Sequence, residues 1–461
     1  MTIYSSLRNL MNSAEPARGP HVPARGARTE TELRRDAENI LRSAVSAADP
    51  ARLVAETLAR DYAALPTEGR IHVAGFGVAA AAMACGVCSA LGDRVTGGVL
   101  LVPAGTESDA PECFDTFGGG LPVPDQGGEA GARAIRQLAR EIGEDETLLA
   151  LVSGGGAGLL TVPPDGLHLE DLRELVRLLL DAGATEPEIE TVQRHVDQVK
   201  GGRLAAEAAP SRSIAVLLSD VVGDAPELVA CGPFAPERSR VTDATAILER
   251  YGVWDDLAPA VRGHLDRLRC GELPGSPVAG DSCFDRVTHL VAGNGRTAAR
   301  AACAAAERLG YEAQLLTDTL TGEARQAGEF LAATARSLSQ ARGEGQPPLC
   351  VVTAGATRAT AEGSSRSGPN QELVLGAVPE IAALGPILVA SMDTRGSDAH
   401  GNAAGALATG STARRAMEAG SYCREALESG EAARLFEALD DSIVSGPTGT
   451  DVGDIQLLLL A

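Results

Sequence analysis

Asp220 and Asp224 stand four residues apart in LLSDVVGDAPE, directly after an apolar run. Carboxylates paired on one loop suit Mg2+, which takes a few protein oxygens and leaves positions for water and substrate phosphate. The competing reading is that one of them caps a helix. In LVSGGGAGLL, Ser153 precedes Gly154, Gly155 and Gly156. Amide N–H groups exposed by such a turn, together with a helix dipole, attract an anion, although a plain strand-to-helix turn has the same composition. RHVDQVKGGRLA sets His195, Lys200 and Arg203 around Gly201 and Gly202. A helix that breaks at the glycine pair aims all three side chains toward one rim; otherwise the segment is an exposed basic turn.

IHVAGFGVAAAAMA contains Gly75-x-Gly77-x-x-Ala80, a turn that lets a backbone close on a phosphate. A dinucleotide reading needs an acidic residue closing the next strand, and GGVLLVPAGT supplies none before Glu107. Val78 stands where a phosphate site gains most from a cation. Near the carboxy terminus, SGPTGTDVGD adds a Gly-Pro turn with Thr448, Thr450 and Asp454 as polar groups.

Such residues must be positioned by the elements between them. The apolar runs RIHVAGF, GGVLLVPAG, TLLALVS and SIAVLLSD are separated by helical periods, which predicts a parallel sheet covered on both faces. Alternation resumes with THLVAGNG, a helix over 297–308, EAQLLTD, a long helix over 321–342, PLCVVTAGAT and GPILVASMD. The expected fold is α/β, with two domains of mainly parallel sheets covered by helices and a ligand cleft between them. The boundary falls in GELPGSPVAGDSC, residues 271–283. This gives a mobile tail over 1–30, a Rossmann-like domain over 31–275 and a carboxy-terminal α/β domain over 284–461. In open sheets of this kind ligands bind beyond the carboxyl ends of the strands, and GFGV, SGGGAG, SDVVGD and MDTRGSDAHG all follow apolar strands.

The chain of 461 residues is 44% apolar and 22% charged, as in an ordinary globular protein. Its formal charge of −22 argues against nucleic acid and anionic membranes as partners. A small-molecule substrate remains, captured by a local cationic or amide site, and a homo-oligomer is compatible with these numbers. No run approaches the length of a transmembrane helix, and the Pro-, Arg- and Gly-rich amino terminus has no apolar core of a secretory signal. The cysteines are odd in number, scattered and mostly in apolar runs, the pattern of reduced thiols in a cytoplasmic protein.

In chain order, GFGVAAAAMA, LPVPD, LVSGGGAGLL, HVDQVKGGRLA, LLSDVVGD, CGP, GPNQEL, DAHGNAAGA and SGPTGTDVGD resemble the signatures of the glycerate 2-kinase family, two-domain proteins with a carboxy-terminal MOFRL domain. The resemblance implies ATP- and Mg2+-dependent phosphorylation of D-glycerate at its 2-hydroxyl. It gives catalytic parts to Lys200, Asp220 and His195, and the metal to Asp220 and Asp224; Arg395, which departs from the family pattern, is a further catalytic candidate as a replacement cation. It assigns substrate and nucleotide to Gly75, Gly77, Ser153, Gly154, Gly155, Gly156, Gly201, Gly202, Arg203, Asn370, Glu372, Asp398 and Thr448. The family pattern also has Lys at Val78, His at Leu121, Asn at Glu190, Arg at Gln193, Ser at Asp197, Arg at Pro369 and Asp at Arg395; Arg366 and Arg395 are candidates to replace the missing arginine. The glycine scaffold is thus kept while its charged chemistry is thinned. Two readings follow: a kinase-like enzyme acting on a small hydroxy-carboxylate or a repurposed reaction on a related metabolite, and a catalytically impaired pseudoenzyme that binds ligand or partner without turnover.

Overall fold

The structure, a computed structural model, describes residues 28–61, 65, 69–343, 345–359, 367–382, 384–398 and 401–461. Most of the expected tail over 1–30 lies outside the described residues, as does Arg366.

Strands β1 (Ile71–Phe76), β2 (Val95–Pro103), β3 (Phe114–Gly119), β4 (Thr147–Ser153), β5 (Arg212–Leu218) and β6 (Val287–Gly293) form one sheet in the order β3-β2-β1-β4-β5-β6. Every pairing is parallel. β4 is buried along its whole length, as a strand covered on both faces must be. The order runs outward from the neighbours β1 and β4, which makes them the switch point of a doubly wound sheet. On one face, Phe76, Leu101, Leu148, Ala150 and Val152 pack against Ala132 and Ile135 of the helix Gln126–Glu141. Asp125 starts that helix by accepting the Gly128 N–H at 2.8 Å. Helices Leu169–Asp181, Glu186–His195, Val241–Arg250 and Pro259–Arg269 share a separate apolar core that includes Leu172, Leu179, Val192, Leu248 and Leu265.

The second sheet has the order β11-β10-β9-β12-β8-β7, from β7 (Glu312–Leu320), β8 (Leu349–Gly355), β9 (Ile387–Asp393), β10 (Gly405–Thr409), β11 (Ser442–Ile443) and β12 (Asp454–Leu460). Here the expectation of mainly parallel strands gives way: β7 and β8 are parallel, and the remaining pairings are antiparallel. The run DIQLLLL is buried from end to end and inserts antiparallel between β8 and β9. A strand buried on both faces reads the same in either direction, so its pattern carries no sign of orientation.

The chain divides into two compact units, Asp49–Gly293 and the remainder. The expected boundary at 271–283 therefore moves to Gly293, because β6 still pairs with β5. The Pro- and Gly-rich stretch is a connection tied into the first unit, where Glu237 N–H donates to Pro277 O at 2.9 Å. The helix Glu30–Ala47 belongs with the second sheet. Its apolar stripe of Leu33, Ala37, Ile40, Leu41 and Ala44 is buried, and Asp36 is held by Arg28, whose guanidinium stacks over Tyr311 at 4.1 Å.

Candidate functional site

At the switch point the chain leaves β1 through Gly77, whose φ of +118° favours glycine. A Cβ there would strike the hydroxyl and carbonyl oxygens of Ser153, the last residue of β4. Two hydrogen bonds join the loops: Val78 N–H donates to Gly154 O at 2.9 Å, and Ala79 N–H donates to Ser153 Oγ at 3.1 Å. Ser153 is fully buried and clips the β1 loop to the β4 loop. Gly75 lies within β1, where a Cβ would press on Leu100 and Leu151, so its smallness serves sheet packing.

Gly155 also has a positive φ, +73°. A Cβ on it would sit 3.0 Å from Val78 Cγ1 and 3.2 Å from Leu121 Cδ1. The two positions where the family pattern has Lys and His therefore converge on one glycine, and methyl groups cover it. Gly156 is buried against Phe76 and Ala230. The turn keeps the shape of an anion nest but presents apolar groups where positive charge was expected.

Asp220 and Asp224 follow β5, the strand beside β4, and both are half-buried. No helix begins at either, which removes the capping alternative. Among the described residues no three His, Cys, Asp or Glu side chains gather to hold a metal ion. Two hard oxygen donors on a loop fit Mg2+ when ligand oxygens and water complete the shell.

Lys200 and Arg203 do not share a rim, contrary to expectation. Lys200 is 1% exposed. Its Nζ donates to Thr161 Oγ1 and Gln193 Oε1, each at 3.2 Å, and pairs with Asp197 at 3.6 Å. The Asp197 carboxylate also accepts from Val199 N–H at 2.9 Å; burial pushes its pKa up and the Lys200 ammonium opposes that rise. Beside them is a void of about 10 Å³, room for roughly one water. Gly201 and Gly202, at φ +55° and +79°, reverse the chain. Their amides are taken by Cys231 O at 2.9 Å and Gly232 O at 2.8 Å, and Arg203 faces a different, open pocket.

His195 is also buried. Its Nε2 lies 3.0 Å from Ser239 Oγ, which donates to Glu237, and Glu237 pairs with Arg194 at 2.7 Å. Burial pulls the imidazole pKa down to about 4 against the attraction of Glu237, with Arg203 and Arg194 adding to the fall, so the ring is neutral near pH 7. Nearby, burial pushes Glu190 up to about 8.

In the second unit, Asp393 and Asp454 face each other across β9 and β12. Asn370 Nδ2 donates to Asp454 at 2.9 Å and to Asp398 at 3.2 Å. Asp398 also accepts the backbone N–H groups of Asn370 at 3.1 Å and Gln371 at 2.8 Å, in the first turn of the helix Pro369–Ile381. The anion at that helix start is the protein's own carboxylate. Burial pushes Asp398 up to about 6 and Asp454 well above the usual carboxylate range, with Asp393 adding repulsion to both. Arg395 forks onto Asp393 at 2.8 Å and lies 3.7 Å from Asp451. Thr448 Oγ1 donates to Thr394 O at 2.6 Å, and Glu372 is buried in the helix. Sequence reasoning missed Thr161, Glu237, Ser239 and Ser391, whose hydroxyl donates to Asn370 Oδ1; these are ordinary polar residues that acquire partners through long-range contacts.

A doubly wound parallel domain joined to an α/β domain with a mixed sheet, each with polar groups beyond its strand ends, defines a two-domain α/β protein. A family model described as "Domain of unknown function (DUF4147)" matches residues 36–266, and one described as "MOFRL family" matches residues 349–454. The chain is 30% identical to D-glycerate 2-kinase of Thermotoga maritima over 93% of its own length and 98% of the relative's. It is 32% identical to glycerate 2-kinase of Pyrococcus horikoshii over 85% and 88%. Its fold is similar to the crystal structure of glycerate kinase from Thermotoga maritima, with a TM-score of 0.79, 30% identity, and coverage of 94% of this chain and 100% of that one. The chain belongs to the glycerate 2-kinase family. No helix among the described residues is long and apolar enough to cross a membrane.

Proposed function

We propose that this protein binds a nucleoside triphosphate and a small hydroxy-carboxylate of the glycerate type, and transfers the terminal phosphoryl group of ATP to the acceptor hydroxyl. The observation that carries the reading is the adjacency of β1, β4 and β5, whose carboxyl ends place the Gly77 turn, the Ser153–Gly156 turn and the Asp220–Asp224 loop side by side. Phosphoryl transfer is mostly positioning and neutralisation of charge. Amides of the Ser153–Gly156 turn would hold phosphate oxygens, since those of the Gly77 turn are already donated to Leu101 O, Gly154 O and Ser153 Oγ. Asp220 and Asp224 would hold Mg2+, which supplies charge neutralisation between phosphates when bound. Ser153 fixes the relative position of two of the loops, and Arg395, half-exposed, pairs with Asp393 at the end of β9.

A second reading, ligand binding without turnover, is favoured by one specific feature: Val78 and Leu121 cover Gly155 while Lys200 is sealed against Asp197. Removing a single stabiliser of developing charge costs about 10²–10³ in rate, so a site missing a lysine and a histidine at one glycine is slow with ordinary glycerate.

Calorimetry with Mg·ATP, followed by mass detection of phosphoglycerate, separates the readings. Phosphorylated product supports the kinase; nucleotide heat without product supports the binding protein; no heat with any nucleotide sinks the nucleotide-dependent reading. The double variant Val78→Lys, Pro369→Arg is expected to raise the phosphorylation rate by about 10² or more, and a folded but inert double variant counts against the kinase.

A further inference from the structure

The cation that the glycine pair turns outward has surroundings of its own. Arg203 opens the short helix Arg203–Ala208 and lines an open pocket of about 340 Å³ with Arg136, Gln198, Glu207, Gly275 and Pro277. None of these residues belongs to the loops after β1, β4 or β5. One corner of the guanidinium is fixed, since Nη1 donates to Arg194 O at 2.8 Å and to Ser276 Oγ. Asp197 and Glu237 attract it from a distance, but those carboxylates are already paired with Lys200 and Arg194.

Across the pocket, Glu207 is gripped by Arg136 at 2.6 Å and by Arg140, whose Nη2 donates at 2.8 Å. Two guanidinium groups on one carboxylate, with a third across the pocket, leave a local excess of positive charge in a chain whose formal charge is −22. In so acidic a molecule the long-range field repels anions, so an anion site must be built from close, oriented donors. Arginine forks match phosphate oxygens in just this way. Gln198 donates a side-chain N–H to Pro163 O at 2.8 Å, which fixes the carboxamide, and its side-chain oxygen is an acceptor suited to a ligand hydroxyl. The pocket also exceeds the size of a bare phosphate ion.

We propose that this pocket binds a small phosphorylated metabolite, a phosphate dianion on a hydroxylated carbon body, with Arg203 and Arg136 on the phosphate and Gln198 on a hydroxyl. The site stands apart from the phosphotransfer reading and survives its failure.

Calorimetry on the full chain, at constant ionic strength, tests it with glycerol phosphate, inorganic phosphate and glycerol in turn. Glycerol phosphate is expected to bind, glycerol to give no heat, and inorganic phosphate to bind more weakly; equal affinity for inorganic phosphate supports the arginine cradle with the free ion as its occupant. Phosphate held by the switch-point loops is indifferent to Glu207, whereas here Glu207→Gln frees two arginines and tightens binding about tenfold, and Arg136→Gln weakens it about tenfold. Arg203→Lys, which keeps charge but loses the fork, also weakens it. The Glu207 and Arg136 variants lie on partly exposed helix faces, so they report even if the more buried Arg203 variant fails to fold. Absence of heat with both phosphates, or heat unaltered in both Glu207→Gln and Arg136→Gln, overturns the site.

Discussion

The two units treat charge at their polar centres in opposite ways. Beside the parallel sheet, each buried cation has its own carboxylate: Lys200 has Asp197, and Arg194 has Glu237. Where β9 ends and β12 begins in the mixed sheet, the carboxylates outnumber the cations. Asp393, Asp398, Asp451 and Asp454 gather around Arg395 and the neutral Asn370. The first arrangement locks positive charge away from solvent. The second keeps two acids, Asp398 and Asp454, whose ionisation is resisted by burial and by neighbouring carboxylates. An anion approaching the turn after β4 meets methyl groups over Gly155, and one approaching the helix start at Pro369 meets a site already filled by Asp398. The two units thus limit anion access at these loops by different physical routes, masking over Gly155 and self-occupation by Asp398.

The strongest way to break this contrast is Asp197→Ala. A buried pair that loses one partner leaves an uncompensated charge, which costs about 3–5 kcal/mol, and Val199 N–H loses its acceptor as well. Urea unfolding is expected to show a loss of about 4 kcal/mol. Adding Lys200→Met should return most of it, because an apolar replacement removes the orphaned ammonium. A loss below about 1 kcal/mol would mean that Lys200 reaches water and is not masked.

Asp398→Ala probes self-occupation. The substitution strips the acceptor from two backbone N–H groups and from Asn370 Nδ2. Loss of a helix cap costs about 1 kcal/mol, and buried donors left without partners add to that, so a fall of about 3 kcal/mol is expected. Relief of repulsion with Asp393 and Asp454 makes the effect smaller than at Asp197. The vacated helix start should then accept an anion: sulfate is expected to raise the melting temperature of Asp398→Ala more than that of the parent. Equal responses would show that the carboxylate was not filling an anion site.

How much of this was legible beforehand follows from range. The strands of the parallel sheet are written as apolar runs, and the loops after β1, β4 and β5 as glycine and aspartate clusters, because turns and strands are local properties. Ser153 was visible as a site residue, but its work as a clip between loops depends on β1 lying beside β4. Asp197 as the partner of Lys200 was three residues away and still missed, since nothing local says that both side chains turn inward around Gly201. Glu237 and Ser239 follow the CGP turn closely, but that turn says nothing of Arg194 or His195, the partners they meet. The direction of β12 and the boundary at Gly293 were hidden for the same reason: an apolar run reports burial, and a Pro- and Gly-rich stretch reports a surface turn, and neither names its neighbours.

Glu190→Gln sharpens the contrast by pH. Burial pushes Glu190 up to about 8, with Glu186 adding to the rise and Arg194 and Lys200 opposing it. Asp398 rises only to about 6. A carboxyl whose folded pKa is raised holds its proton more tightly in the folded state. Its contribution is complete below the unfolded pKa and is lost as pH climbs to the folded one. Asp398 therefore finishes its loss by about pH 6, whereas Glu190 continues losing stability up to about pH 8. His195, lowered to about 4, acts in the other direction, adding stability as pH rises through its window toward 6.5. A glutamine at position 190 cannot ionise. The variant and the parent should differ least near pH 4 and separate progressively from about pH 4.5 to 8, with the variant's relative gain reaching about 4 kcal/mol at pH 8. Parallel curves across that range would place Glu190 in contact with water, and with it would go the view that the polar centre of the first unit is sealed.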